Sequence, residues 1–289
     1  MGFWKNLTTK FSKKKPTKKK GPVLGLALGS GGAKGMAHIG ALKAFEEEGI
    51  SFEVVTGTSI GSIVGALYVK GFSSRDIIEI IESLNRKEFA KNLRPFSDMD
   101  FAEDFIKQYV EEDIEELPLP YAACATDAES NQGVVLRSGN TAKACTASSA
   151  MPPFFRGVEI EGRKLVDGAF TDSVPADICK ELGADFVIGI DLGAFTKSDE
   201  EKSRFSRLVG SAINALVSVK YLEDSKTRGY EAADIMLRPN LHDYRATDVA
   251  LEDMNAMYDI GYEEARLHMD EIKAALKKAK FPIGKKGKV

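Results

Sequence analysis

The chain has little with which to cross-link itself or bind a metal. It holds three cysteines, Cys124, Cys145 and Cys179. The number is odd and no CxxC spacing occurs, which argues against a disulfide framework or a thiolate zinc site and for small buried hydrophobes. Histidine is equally scarce: His38, His242 and His268 are scattered, with no metal-ligand spacing. No metal or cofactor is therefore expected. No run of roughly 18 or more apolar residues occurs, so no transmembrane helix is expected. The N-terminus lacks the apolar core of a secretory signal, which points to the cytoplasm. Gly2 invites N-myristoylation, but Asn6 stands where that motif needs Ser or Thr. There are no internal repeats.

What is present is ordinary globular composition, 43% apolar and 29% charged over 289 residues. The net charge of −3 hides an asymmetry. Residues 1–20 hold eight lysines and no acid, leaving 32 basic against 43 acidic residues in the rest, a balance of −11. Phe3, Trp4, Leu7 and Phe11 recur at nearly helical spacing ahead of the lysines. This tail has two readings: peripheral docking on an anionic membrane, at about 1 kcal/mol per lysine near the surface, or a disordered solubilising segment. Nucleic acid is the competing polyanion and is not the expected partner. Residues 21–280 show no linker and read as one domain, followed by a short basic tail at 281–289.

Val23–Leu28 is a short apolar run suited to a buried parallel strand. The glycine-rich stretch Gly29-Ser30-Gly31-Gly32-Ala33-Lys34-Gly35 follows, then a helix over 36–48 ending at Gly49. Residues 52–56 read as a second strand and 59–70 as a second helix closed by Gly71. This βαβα order predicts an α/β fold with a parallel sheet. Residues 73–116 read as helical, with Ile77, Ile78, Ile80 and Ile81 as core candidates and Met99, Phe101 and Phe105 as core rather than substrate channel. Strands are expected over 121–126 and 134–137, and a small-residue helix over 142–150 ends at Pro152-Pro153. A hairpin turn at Glu161-Gly162-Arg163 leads into 164–167. A helix over 177–182 and a strand over 186–191 come next. Residues 205–230 read as helix, 234–238 as the last strand and 248–279 as a terminal helix.

Gly57-Thr58-Ser59-Ile60-Gly61 fits Gly-x-Ser-x-Gly, a weak motif alone. Its place between a strand and a helix is what a nucleophile elbow requires: small flanks where a strained turn passes close to both elements. Ser59 is therefore the candidate nucleophile. The loop Gly29–Gly35 fails as a Walker A site, because Lys34 is followed by Gly35, and as a dinucleotide fingerprint, because position 34 is not glycine. Glycines at a helix start do leave bare N–H groups that can hold a developing oxyanion. The base is open on residues alone. Ser59, Asp167 and His242 would match a hydrolase triad order, but neither His242 nor His268 has a motif around it, and His38, in the middle of the first helix, reads as a helix-face residue. Asp167, before the small Gly168 and Ala169, has an ordinary pKa of about 3.9 and could serve if held against the hydroxyl in the right geometry, or if burial raises that value.

These motifs together resemble the patatin-like phospholipase family, in its bacterial members, over roughly residues 23–192. The resemblance rests on the glycine loop running into Met36-Ala37-His38-Ile39-Gly40-Ala41-Leu42, the elbow running into Ser62-Ile63-Val64-Gly65-Ala66-Leu67-Tyr68, the stretch Ala147-Ser148-Ser149-Ala150-Met151-Pro152, and Asp167-Gly168-Ala169. Many members carry three consecutive glycines where Ser30 begins the run here. The resemblance implies a three-layer α/β/α sandwich with a mostly parallel sheet. It implies a Ser59–Asp167 dyad without histidine, and an oxyanion hole from the amides of Gly31 and Gly32. Gly29, Lys34, Gly35, Gly57, Gly61 and Gly168 support the motifs. It also implies acyl-ester hydrolysis of lipids, phospholipid among them, through an acyl-enzyme. The alternatives are a low-turnover lipid-binding or regulatory protein on the same fold, and a small-ester hydrolase or peptidase on the same dyad.

Overall fold

The computed structural model describes residues 21–84, 96–193, 228–282 and 284. The expected tail helix in 1–20, most of the expected 205–230 helix and most of 281–289 lie outside the described residues. In chain order the elements are β1 (Leu24–Leu28), α1 (Met36–Glu47), β2 (Val54–Thr58), α2 (Ile60–Lys70), α3 (Ser74–Ser83) and α4 (Asp100–Lys107). β3 (Tyr121–Asp127), β4 (Gly133–Leu136), α5 (Thr141–Ser148), β5 (Val158–Ile160) and β6 (Arg163–Asp167) follow. The described chain ends with α6 (Ala176–Glu181), β7 (Phe186–Ile190), β8 (Ile235–Leu237), α7 (Leu251–Leu267) and α8 (Met269–Lys278).

The strands form one eight-stranded sheet. β3, β2, β1, β7 and β8 pair in parallel, in that order, and β4, β6 and β5 add antiparallel pairings around β3. This is the expected mostly parallel sheet flanked by helices.

Alternation along β1 shows why both faces are covered. Leu24, Leu26 and Leu28 enter the larger core with α1, α2, α3, α7 and α8. Ala27 faces the smaller core around α6, with Val54, Cys179 and Val187. A Cβ on Gly25 would fall 2.5 Å from the Cys179 sulfur, so α6 rides close on the sheet. The cysteines are free and buried, as expected.

Several expected boundaries move. The second strand runs over 54–58 rather than 52–56, because Gly57 and Thr58 still pair with β1 and β3. The 73–116 region is not one helix. Ser73 opens α3 with a capping box to Asp76, α4 is separate, and a single 3-10 turn closes the stretch at 114–116. Ile77 and Ile80 are fully in the core, while Ile78 and Ile81 are half-buried against it. The terminal 248–279 helix is two helices, interrupted at His268, whose ring nitrogen takes up the Glu264 carbonyl. The hairpin turn is confirmed, with Glu161 and Gly162 both at positive φ, 51° and 74°.

One register decides where the site falls. Ala123, Cys124 and Ala125 pair with β4 on one edge of β3. The other edge is shared end to end by two strands. β2 runs along it in parallel until Thr58 meets Cys124, and β6 runs along it from the opposite direction until Asp167 meets Ala125. The ends of β2 and β6 thus face each other over adjacent residues of one strand.

α1, which carries the glycine loop at its start, is held against α7 by two glycines. A Cβ on Gly40 would lie 2.0 Å from the Tyr258 carbonyl oxygen, and one on Gly261 2.0 Å from that of Ala37. The buried Glu48 receives Arg266 at 2.6 Å and also Lys273, and the Tyr262 hydroxyl donates to Glu47 at 2.8 Å. Alanine normally outperforms glycine in a helix by about 1 kcal/mol; at this crossing the sign reverses. Gly261→Ala is expected to lower stability by about 1–3 kcal/mol through overpacking, read from the urea midpoint.

Candidate active site

Ser59 occupies the single residue between β2 and α2. Its backbone sits at φ 54°, ψ −126°, a region costly for a side-chain-bearing residue, by about 1–3 kcal/mol. The flanking glycines make the turn possible. A Cβ on Gly57 would lie 2.3 Å from the Gly61 carbonyl oxygen, and one on Gly61 2.2 Å from that of Leu28. The Gly-x-Ser-x-Gly spacing is therefore a packing requirement of this turn. Ser62 clasps it further by donating its hydroxyl to the Ser59 carbonyl at 2.6 Å.

The Ser59 hydroxyl donates to Asp167 Oδ2 at 2.7 Å. Ser59 is 8% exposed and Asp167 1%, so the pair is nearly dry. Asp167 Oδ1 accepts the Ala169 N–H at 2.9 Å. Burial pushes the Asp167 carboxyl up to about 7, with the Ala169 amide and Ser59 hydroxyl pulling the other way. Gly168 must be bare for the chain to leave β6 here, since a Cβ would meet the Cys124 carbonyl oxygen at 2.0 Å.

The glycine loop lies against the elbow: a Cβ on Gly35 would strike the Ile60 side chain, and one on Gly61 would approach the Gly29 carbonyl. The loop's other amides are spoken for. Gly29 donates to Ile190, Ser30 to Ser173, Ala33 to Ala246 and Lys34 to Gly31. Among the described residues, the amides of Gly31 and Gly32 donate to no acceptor. Gly32 sits at φ 57°, a conformation open to glycine. Lys34 is 1% exposed, with its amino group 3.5 Å from the Gly193 carbonyl oxygen. It is part of the loop's foundation rather than a surface charge.

No histidine is hydrogen-bonded to this pair, so the structure gives the Ser59–Asp167–His242 triad order no support. His242 is exposed in the loop before α7. His268 bonds within its own helix end. His38 is fully buried on α1, where its Nε2 lies 2.7 Å from the Gly29 carbonyl oxygen. A carbonyl only accepts, so Nε2 carries the proton. Burial pushes His38 down to about 4, and it stays neutral while fastening the start of the glycine loop.

Two contacts were not foreseen from the residue pattern. The Ser59 N–H donates to Ser148 Oγ at 2.9 Å, and the Asp167 N–H donates to the Ala150 carbonyl at 3.1 Å. The stretch Ala147–Pro152 stood out in the sequence, but only tertiary pairing shows what it grips. Within it, Ala150 and Met151 pack with Met99, Phe101, Phe154 and Phe155, so Met99 and Phe101 belong to a small cluster next to the segment that bonds Asp167; Phe105 joins the main core. No group of three or more potential metal ligands occurs among the described residues, and no described helix is long and apolar enough to cross a membrane.

The arrangement is that of an α/β protein built on a strained strand–helix serine with an acid brought to it across the sheet. A sequence model of the patatin-like phospholipase family matches residues 26–180, and the chain belongs to that family. It is similar to patatin-like phospholipase domain-containing protein 6 of Mus musculus, 29% identical over 285 residues, covering 84% of this chain and 20% of that one. A lysophospholipase of Aspergillus niger is 26% identical over 288 residues, covering 88% of this chain and 18% of that protein. The chain thus spans about a fifth of the length of both. Its fold is similar to the crystal structure of VipD from Legionella pneumophila, with a TM-score of 0.55 and 15% identity over 86% of this chain and 67% of that one.

The Asp167 shift sets a sign for stability. Its folded pKa of about 7 lies above the unfolded value of 3.8. The native state therefore holds the proton longer, and stability present below the unfolded value is lost as pH rises towards 7. Asp167→Asn removes that loss. Its melting temperature relative to wild type is expected to be higher at pH 8 than at pH 5; a difference unchanged between the two pH values would contradict the assignment.

Proposed function

We propose that the chain is a serine lipid acyl hydrolase that works through an acyl-enzyme, with Ser59 as nucleophile and Asp167 as general base. The observation that carries this reading is the 2.7 Å hydrogen bond from Ser59 Oγ to a buried Asp167 whose pKa lies at about 7. A carboxylate with the ordinary value of about 3.9 is a weak base at neutral pH. One raised to about 7 is matched to taking a proton near neutrality.

The steps follow from the contacts. Ser59 Oγ attacks the ester carbonyl carbon as its proton passes to Asp167 Oδ2. Negative charge develops on the former carbonyl oxygen, and the uncommitted amides of Gly31 and Gly32 are the donors proposed to receive it. Losing one such donor typically costs about 10²–10³ in rate. The tetrahedral adduct collapses, the C–O bond to the alcohol breaks, and Asp167 returns the proton to the departing alkoxide. Water then attacks the acyl-Ser59 ester, giving its proton to Asp167. Collapse frees the fatty acid, and the proton passes back to Ser59.

Lipid acyl esters are favoured over other esters by the family and by relatives whose names specify phospholipase and lysophospholipase. In purified full chain, a fluorophosphonate is expected to label Ser59. Ser59→Ala and Asp167→Asn are expected to lower hydrolysis of phosphatidylcholine and lysophosphatidylcholine by at least about 10³-fold with the fold intact. Hydrolysis of short nitrophenyl esters alone would shift the reading to a small-ester hydrolase. Folded protein with no labelling would shift it to a lipid-binding role.

Residues 1–20, with eight lysines and no acid, are proposed to raise the enzyme's concentration at anionic lipid. Deleting them is expected to reduce turnover on anionic vesicles at low salt and to leave turnover on zwitterionic vesicles unchanged. Equal loss on both would contradict this.

A further inference from the structure

The stretch Ser148–Ala150 has no part in the chemistry proposed above, yet it touches the backbone of both reacting residues. Ser148 is fully buried at the C-terminal end of α5. Its hydroxyl accepts the Ser59 N–H at 2.9 Å and donates to the Cys124 carbonyl at 2.6 Å. Cys124 is the β3 residue paired with Thr58, at the point where β2 stops. Two residues further on, the Ala150 carbonyl accepts the Asp167 N–H at 3.1 Å. One short segment thus ties the nucleophile's amide, the strand beneath it and the acid's amide together.

We infer that Ser148 is a positioning residue: its hydroxyl bridges the Ser59 amide to β3 and thereby fixes the Ser59 hydroxyl at hydrogen-bond distance from Asp167. The physical argument is that Ser59 sits at φ 54°, a conformation its own sequence does not favour and its surroundings must impose. The elbow's glycines permit that conformation without demanding it. Among the described residues, the bond to Ser148 is the one hydrogen bond on the Ser59 N–H, and it is anchored at its far end to the strand whose register also places Asp167. α5 itself is braced against α2: Tyr121 donates its hydroxyl to the Ser62 carbonyl at 2.8 Å and lies 3.2 Å from the Cys145 sulfur. Without the Ser148 hydroxyl, the Ser59 amide and the Cys124 carbonyl lose this shared partner in a dry interior. The turn is then free to rotate the nucleophile away from the acid, and small displacements of reacting groups are costly, up to about 10²-fold per ångström.

This inference rests on the reading of Ser59 as nucleophile, and the test separates the two. Fluorophosphonate labelling rates of Ser59 and the pH dependence of ester hydrolysis are measured on the full chain. The variants are Ser148→Ala, Ser148→Cys, Ser149→Ala and Ser59→Ala. Cysteine keeps a weaker donor and acceptor in nearly the same volume, so it serves the comparison if the alanine chain is too unstable to assay. Ser149→Ala is the neighbouring control, since the Ser149 hydroxyl donates to the Cys145 carbonyl of α5, at 2.9 Å, and to neither Ser59 nor Asp167.

Ser148→Ala is expected to label at least about 10-fold more slowly than wild type, with KM changed by less than about twofold and Ser148→Cys in between. Its acid limb is expected to move to higher pH, because the Ser59 hydrogen bond holds the Asp167 pKa down. General loosening of the fold would not move that limb in a defined direction. Ser149→Ala is expected to behave as wild type. Ser148→Ala or Ser148→Cys labelling at the wild-type rate with an unmoved limb would overturn this inference and leave the function reading standing. A folded wild type that does not label at Ser59 would overturn both.

Discussion

Everything at this site depends on one hydrogen bond, from Ser59 to Asp167, and that bond depends on how two strands share a third. β2 and β6 run towards each other along the same edge of β3 and stop at neighbouring residues, Cys124 and Ala125. A serine just past the end of the first strand and an aspartate at the end of the second are then within reach although 108 residues separate them. A slip of one residue in either pairing would turn the side chain to the other face of the sheet. The register is thus a constraint on the proposed catalytic pair as well as a structural one, and Gly168, pressed on the Cys124 carbonyl, is where the chain accommodates it.

Burial gives the pair its chemistry and makes the fold less stable. The same dry surroundings that raise Asp167 towards neutrality make its charged form costly in the folded state. The neighbouring loop is built on the same terms. His38, neutral and fully buried, and Lys34, buried beneath the loop, hold its shape. Among the described residues, the amides of Gly31 and Gly32 have no acceptor, and the oxyanion is proposed to form there. Strain at Ser59, burial at Asp167 and uncommitted amides each cost stability, and the tight α1–α7 crossing and the two packed cores offset them.

The parts of this architecture legible in the sequence were those encoded locally. The order of strand, glycine loop, helix, strand, elbow and helix followed from apolar runs broken by glycine. The elbow was readable because its glycines answer a clash inside five residues. Asp167 was different. Its own neighbourhood offers only the small Gly168 and Ala169 that follow it, and its proposed role came from resemblance to a family, because its position is set by β3. The same holds for Ser148, visible as a motif but not as a contact, and for His38, readable as a face of a helix but not as a clamp on Gly29. The errors were of the same origin: β2 extends two residues further than its apolar run because its neighbours keep pairing with it, and the terminal helix breaks at His268, where the pattern alone continued. The tail of residues 1–20 was readable only as charge and spacing.

The central claim is that Asp167 takes the proton from Ser59. Its most direct test is the pH dependence of the single-turnover acylation rate of Ser59 by an activated ester. The account requires the rate to climb with pH and level off with a midpoint near 7, and requires that midpoint to vanish in Asp167→Asn. A wild-type rate flat from pH 5 to 9, or a midpoint that survives the substitution, would mean that another group accepts the proton.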